Sequence, residues 1–413
     1  MNQYKKQKLV FYYPHAHRIS GGLYYFYSLA DYISRQKTHD VYVVNYKDSE
    51  YPSHYFEERG EADFTSINYE DDNIKFDCDT VFIVQLHMLP MLLDSYRNLE
   101  NAKIFLIDFH PYSFKYLAGN LKIKTMEEKE ALASLIIKND SVAFMDETCA
   151  LSFEYQSGCK IGKRMYMPTF LEKAYTRTMV EDVLDDKTVN IGMITRLDAD
   201  KVWSAINVLN VVYNAACDRN ICVHLIGDGT MRDKIDFQHY MQKFNVITKS
   251  YMFGSERFDY LVEHVDFAIN FGVAALEASM LPLPVVIPPF VMCETCVDSF
   301  YYINDTKLYN LGCQKEIADG MGIQQYKLLD IIDDIYKRKM KKEKAVLCNE
   351  YVKKNHDIAE TAKAFLDAYP RSRLSIGACL EMRQVAAVVD EFSSCRKKGM
   401  YWNDYIQWRT QGM

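Results

Sequence analysis

Short apolar runs of strand length alternate with longer stretches of helical periodicity along most of the chain. The first run, KLVFYY at 8–13, stops at Pro14 and predicts a buried strand. After PHAHRISGG comes LYYFYSLADYIS, with Leu23, Phe26, Tyr27, Ala30 and Ile33 at helical spacing. VYVVN at 41–45 predicts the next buried strand. Strand, glycine loop, helix and strand form a βαβ unit, which implies a parallel sheet. Gly21 and Gly22 fall at the strand-to-helix turn, where backbone bends sharply or approaches a ligand. The pair is not the full G-x-G-x-x-G signature, and a plain turn also explains it. VFIVQ at 81–85 and IFLID at 104–108 are further strands, followed by His87 and His110. Strand carboxyl ends face the ligand crevice of an open α/β sheet. Both histidines are therefore functional candidates, although a structural role accounts equally for either alone. Residues 122–138 predict an amphipathic helix whose basic face is diluted by Glu127, Glu128 and Glu130, a solvated rather than lipid-binding surface. Strands are expected at 141–145 and 164–168, and the polar segment 172–187 reads as an interdomain linker.

The pattern then restarts. Strands are expected at 189–194, 222–226 and 246–253, and helices at 201–216, 231–244 and 257–264. The strand at 222–226 ends in the turn Gly227-Asp228-Gly229. The most informative stretch is DFAINFGVAALEASMLPLPVVIPP at 266–289. It reads as a strand at 266–270, a turn at Gly272, a helix at 273–280 and a strand at 284–287 stopped by Pro288 and Pro289. A strand feeding a helix through glycine sets a helix N-terminus at the strand's carboxyl end, where free N–H groups favour an anion. Glu277 lies about one turn into that helix. Helices at 328–344 and 361–368, and at least one more beyond 374, complete the chain. The alternation predicts an α/β protein of two doubly wound, Rossmann-like domains, at 1–171 and 188–369, with helices from about 370 to 413 packing back on the first.

Composition narrows the function. A chain of 413 residues accommodates two domains. A formal charge of −7 argues against a general nucleic-acid binder, whose footprint is basic. Eleven cysteines form no framework and no signal peptide precedes the first strand, so reduced thiols in a cytoplasm are expected. Cys293 and Cys296 are the only close pair, and no second pair or matching histidines follow, so no metal site is expected. No run of 18 apolar residues spans a membrane. The 31 tyrosines suit a sugar or a peripheral membrane surface, and genome base composition explains them as well.

Three pieces of the second half carry chemistry. In GMITRLDADK at 192–201, Arg196 follows a strand and Lys201 opens a helix. Two fixed cations at one strand end suit a leaving diphosphate, whose developing charge must be stabilised. A cation opening a helix opposes the dipole, so Lys201 is poorly chosen for helix stability alone. The Gly227–Gly229 turn is the second piece, and the Gly272 turn with Glu277 is the third.

In these motifs the chain resembles the GT-B glycosyltransferases of the large retaining family 4 group. IGMITRLDADK, VHLIGDGTMRDKI, NVITKSYMFGS and FGVAALEASMLPLPVV match the family's run in order and spacing. The Gly21-Gly22 loop, FLIDFHP around His110, and MPTF near Pro168 fit more loosely. The likeness covers roughly residues 8 to 290.

The resemblance implies two Rossmann-like domains facing each other across a cleft, and transfer of a hexose-type sugar from a nucleoside diphosphate donor, such as a UDP-sugar, with retention. The acceptor would be a surface glycan or its lipid-linked precursor, met in the cytoplasm or at the inner face of the cell membrane, with peripheral membrane association. It assigns Arg196 and Lys201 to the diphosphate, Glu277 to the ribose, and Gly272 and Val273 to phosphate or sugar through backbone N–H. Gly21 and Gly22 would line the opposite wall, and His110 would contact the transferred sugar. Ser250, Tyr251 and Phe253 would lie beside the base. No metal or other cofactor is implied. The chain departs at Ile269, where the family has a sugar-facing glutamate, and at Leu283, where it prefers glycine. Ile269 keeps open a GT-B epimerase or a non-catalytic nucleotide-sugar-binding protein.

Overall fold

The computed structural model describes residues 6–14, 21–45, 62–69, 76–171, 188–216, 219–252 and 254–396. Two compact units divide the chain, Met1–Pro168 with Ile358–Met413, and Thr169–Asp357. The linker expected at 172–187 lies outside the described residues.

The first unit contains β1 (Lys8–Tyr12), α1 (Gly21–Arg35), β2 (Asp40–Asn45), β3 (Thr65–Asn68), β4 (Val81–Gln85), α2 (Leu89–Ser95), β5 (Lys103–Asp108), α3 (Ser113–Asn120), α4 (Met126–Lys138), β6 (Val142–Phe144) and α5 (Glu147–Ser157). Its sheet has the order β3-β2-β1-β4-β5-β6, with every pair parallel. Leu9 to Tyr12 of β1 are wholly buried, as expected for a parallel strand covered on both faces. β3 has the sequence TSIN with only Ile67 buried, so it carries no apolar run and is not expected from sequence. Residues 164–168 do not form the expected strand; Tyr166 makes a single bridge to Phe144. The expected helix at 122–138 begins at Met126. Lys122 adopts a left-handed conformation, and Thr125 caps the helix by accepting the Glu128 N–H at 3.2 Å.

The second unit contains β7 (Val189–Ile194), α6 (Val202–Ala215), β8 (Ile221–Ile226), α7 (Phe237–Tyr240), β9 (Asn245–Lys249), α8 (Gly254–His264), β10 (Phe267–Ile269), α9 (Gly272–Ser279), β11 (Val285–Ile287), β12 (Tyr301–Tyr302), α10 (Lys315–Gly320), α11 (Leu328–Tyr336) and α12 (Lys341–Asn355). Its sheet order is β12-β11-β10-β7-β8-β9, parallel except where β12 runs against β11. Both sheets therefore share one winding, in which the direction of progress reverses beside the first strand. That reversal falls between β1 and β4 in the first unit and between β7 and β10 in the second, and at such switch points α/β sheets bind ligands.

Three expected elements are corrected. The helix at 231–244 is a turn at Arg232–Lys234 followed by α7, four residues long and restarted by Asp236, whose side chain accepts the His239 N–H. The strand at 246–253 ends at Lys249. The helix at 328–344 is two helices, broken where Lys339 turns left-handed (φ 56°). The chain ends its described part in α13 (Ile358–Ala368), α14 (Ile376–Leu380) and α15 (Arg383–Arg396), all in the first unit. There Leu374 O accepts the Ile104 N–H at 2.9 Å, and Asp390 and Glu391 pair with Arg97 and Lys122.

Candidate functional site

Arg196, Lys201, Gly272 and Glu277 all lie at the carboxyl edge of the second sheet, after β7 or β10, on the two sides of its switch point. The loop after β7 is locked to the loop after β8. Leu197 N–H donates to Asp228 O at 2.9 Å and Met231 N–H to Leu197 O at 2.8 Å. Asp198 Oδ1 accepts both the N–H and the O–H of Thr230 at 3.0 Å. The glycines of the Gly227–Gly229 turn permit this contact. A Cβ on Gly227, whose φ is +139°, would lie 1.9 Å from Thr195 O, and one on Gly229 would lie 2.4 Å from Leu197 C.

Arg196 is held by two acids, Nη1 3.3 Å from Asp198 Oδ2 and Nη2 3.0 Å from Asp200 Oδ2. Lys201 differs. Its Nζ lies 4.8 Å from the centre of the Phe271 ring and 5.5 Å from that of Phe290. No carboxylate among the described residues comes within ion-pair distance of it. Desolvation pulls its ammonium below the ordinary lysine range, with Asp200 opposing and Arg196 adding to the shift. The site thus offers one cation already neutralised and one that is not. Asp200→Asn is expected to raise pyrophosphate affinity about two- to fivefold by loosening a half-exposed pair worth up to about 1 kcal/mol, read by titration calorimetry.

At β10 the fully buried Ile269 pairs with Val286 and belongs to the hydrophobic core. The next residue, Asn270, is also buried. Its Oδ1 accepts the Ile194 N–H at 2.7 Å and its Nδ2 donates to Ala274 O at 3.3 Å, tying the end of β7 to the start of α9. Gly272 has φ +53° and open space where a Cβ would stand, so backbone conformation rather than crowding calls for glycine. Its N–H is engaged by Leu311 O at 3.0 Å. Of the first-turn donors, those of Val273 and Ala274 have no acceptor within the helix.

Glu277 Oε2 is 2.9 Å from Nη2 of Arg257, a residue of the first turn of α8 that is not among the residues expected at the site. The available signal is the one that marks Lys201, a cation at a helix start. Ser250 and Tyr251 are exposed, and the Tyr251 hydroxyl donates to Asp228 O at 2.7 Å. Phe253 lies outside the described residues. Leu283 is packed with Ile226, Phe258, Leu261, Val265 and Leu281.

In the first unit Gly21 and Gly22 are the first residues of α1 rather than part of a loop, which corrects that expectation. A Cβ on Gly22 would lie 2.8 Å from Tyr13 Cε1, so the close approach there is to a ring. His87 follows β4 and His110 follows β5. His110 Nδ1 accepts the Tyr112 N–H at 3.2 Å, which assigns the proton of the neutral ring to Nε2. The rings of Tyr112 and Tyr116 are centred 5.5 and 6.3 Å from it.

Asp108 accepts the His110 backbone N–H at 3.2 Å. Burial pushes this carboxyl up to about 7, against hydrogen bonds from Ser113 and His110, and burial pushes Asp146 up to about 6. A carboxyl whose folded pKa is raised binds its proton more tightly in the native state, so stability falls as pH rises from the unfolded value near 4 to about 7. Asp108→Asn is expected to remove part of that loss. Its melting temperature should gain on wild type between about pH 5 and about pH 8, by on the order of 1–3 kcal/mol of stability.

Cys293 and Cys296 are exposed thiols. Their loop is strapped to α6 by Ser204, Asn207, Asn210 and Asn214. No group of three or more metal-ligating side chains occurs among the described residues. No helix among them is long and apolar enough to cross a membrane.

No protein-family model matches the chain, and no curated protein sequence matches it. Solved structures do. The Anabaena protein HepE, in complex with UDP and glucose, is 11% identical with a TM-score of 0.56, over 87% of this chain and 98% of that one. The lipopolysaccharide outer core galactosyltransferase WaaB is 12% identical with a TM-score of 0.54, over 87% and 98%. A looser likeness to TarM, 14% identical with a TM-score of 0.47, covers 73% of this chain but only 57% of TarM. At these identities the first two show the fold, which is GT-B.

Proposed function

We propose, on the premise of this GT-B fold, that the chain is a retaining glycosyltransferase. It transfers a hexose-type sugar from a nucleoside diphosphate donor to a glycan or lipid-linked acceptor, without a metal. The observation that carries the reading is the pair of cations after β7, with Lys201 uncompensated between two phenyl rings, at the switch point that also presents the start of α9. A leaving diphosphate needs fixed positive charge and oriented N–H groups. Lys201, Arg196 and the N–H groups of Val273 and Ala274 supply both. Glu277 takes the ribose hydroxyls, and His110 presents Nε2–H to the transferred sugar. Two solved relatives in fold support the reading by their names and ligands, one a galactosyltransferase and one holding UDP and glucose.

Incubation with UDP- and GDP-hexoses tests it. Slow release of free nucleoside diphosphate is expected from at least one donor, and faster release with acceptor. His110→Ala is expected to lower that turnover about tenfold to a hundredfold while leaving nucleotide affinity nearly intact. A large affinity loss with unchanged turnover would remove His110 from the sugar site.

A second reading, a nucleotide-sugar-binding protein or GT-B epimerase, is favoured by one observation. Ile269 is buried in the core and the Asn270 side chain is spent on the backbone, so neither brings a carboxylate to this strand end. Donor binding without any release of nucleoside diphosphate would select binding alone, and interconversion of the donor sugar would select the epimerase.

A further inference from the structure

The ion pair between Arg257 and Glu277 is poorly explained by stability. Arg257 stands in the first turn of α8, where a cation opposes the helix dipole. Its side chain is 17% exposed and that of Glu277 23% exposed. In such a partly buried pair, desolvation offsets much of the Coulombic gain. The guanidinium pays a further cost, because its Nε–H is buried with no acceptor.

What the pair does is fix a direction. A glutamate side chain has three rotatable torsions, so a contact at its carboxylate sets where that carboxylate points. The Arg257 ion pair, with Nη2 2.9 Å from Oε2, draws the carboxylate toward α8. A planar guanidinium sets the orientation of a carboxylate in a way that a lysine ammonium does not. Both helices start from the carboxyl edge of the sheet, α8 after β9 and α9 after β10. The paired carboxylate therefore lies at the same edge as Arg196 and Lys201.

We propose that Arg257 is a positioning residue. It holds Glu277 so that the carboxylate accepts from ribose hydroxyls, and through Glu277 it makes the site select ribonucleotides over 2′-deoxyribonucleotides. This rests on the donor reading given above. A hydrogen bond to a charged group contributes about 1.5–3 kcal/mol, so the selection corresponds to roughly tenfold or more in affinity.

The test is calorimetric titration of the full chain with UDP, GDP, their 2′-deoxy forms and inorganic pyrophosphate. Wild type should prefer the ribo form of its nucleotide by about tenfold or more. Arg257→Gln and Glu277→Gln should each bring that ratio close to one, with pyrophosphate affinity unchanged, and the double variant should lose nothing further. Arg257→Lys should restore the ratio only in part. An Arg257→Gln variant that keeps the wild-type ratio overturns the inference, as does one that loses pyrophosphate and nucleotide alike. If wild type binds pyrophosphate and nucleotides but does not distinguish ribose from deoxyribose, the ribose role of Glu277 falls and takes the inference with it. If wild type binds neither nucleotide nor pyrophosphate, the donor reading itself has failed.

Discussion

Replacing Lys201 with alanine is expected to lower donor turnover about a hundredfold or more and to weaken UDP or GDP binding, with little effect on uridine or guanosine. The reason is local. Nζ stands over the rings of Phe271 and Phe290, and burial already holds the ammonium below its ordinary range. A charge with little water around it interacts more strongly with an arriving anion. Removing one such preorganised group from a developing negative charge costs about a hundredfold to a thousandfold in other enzymes. The fold should survive, because Lys201 precedes α6 without making a side-chain cap. Arg196→Ala is expected to cost less, since Asp198 and Asp200 already share the guanidinium. Equal loss of nucleoside and nucleoside diphosphate binding in Lys201→Ala would show that the lysine is not a phosphate ligand.

Gly227→Ala is expected to be the most damaging single-methyl change at the site. Its Cβ would stand 1.9 Å from Thr195 O, a backbone atom that moves only with the whole loop carrying Arg196. The glycine also has φ +139°, where an alanine is strained. A loss of about 3 kcal/mol or more in the unfolding of the second unit follows from strain and overpacking together, measured by denaturant titration. A variant with wild-type stability would mean that the loops after β7 and β8 can separate freely. Gly272→Ala makes a useful comparison. It meets no atom and carries only the cost of φ +53°, so it should be milder.

The second unit's winding was legible because β7, β8 and β10 are near-continuous apolar runs, the form taken by strands covered on both faces. Arg196 and Lys201 stand out in the sequence because each lies next to a strand end or a helix start, and such ends carry unsatisfied backbone groups; Glu277 stands out as the one acid of α9. Gly227 read only as a loop, since contact between two backbones leaves no pattern in either segment alone. The two phenyl rings beside Lys201 leave no local pattern for a related reason. Phe271 and Phe290 lie 70 and 89 positions after the lysine, and nothing local marks them as partners. β3 was missed because edge strands need no apolar run. The helix expected at 328–344 was overextended because periodicity continues past Lys339, while a left-handed residue does not. Ile269 stands in the sequence where a carboxylate is expected, and in the structure its side chain belongs to the core.

The carboxyl edge of the second unit is proposed to bind a nucleoside diphosphate through Lys201 and Arg196. Thermal unfolding with a panel of UDP, GDP and their hexose conjugates tests it most directly. At about 100 times its dissociation constant, one member of the panel should stabilise wild type by about 2.7 kcal/mol, and that gain should largely vanish in Lys201→Ala. If no nucleotide at roughly millimolar concentration shifts the transition, or if wild type and Lys201→Ala shift alike, the account is contradicted.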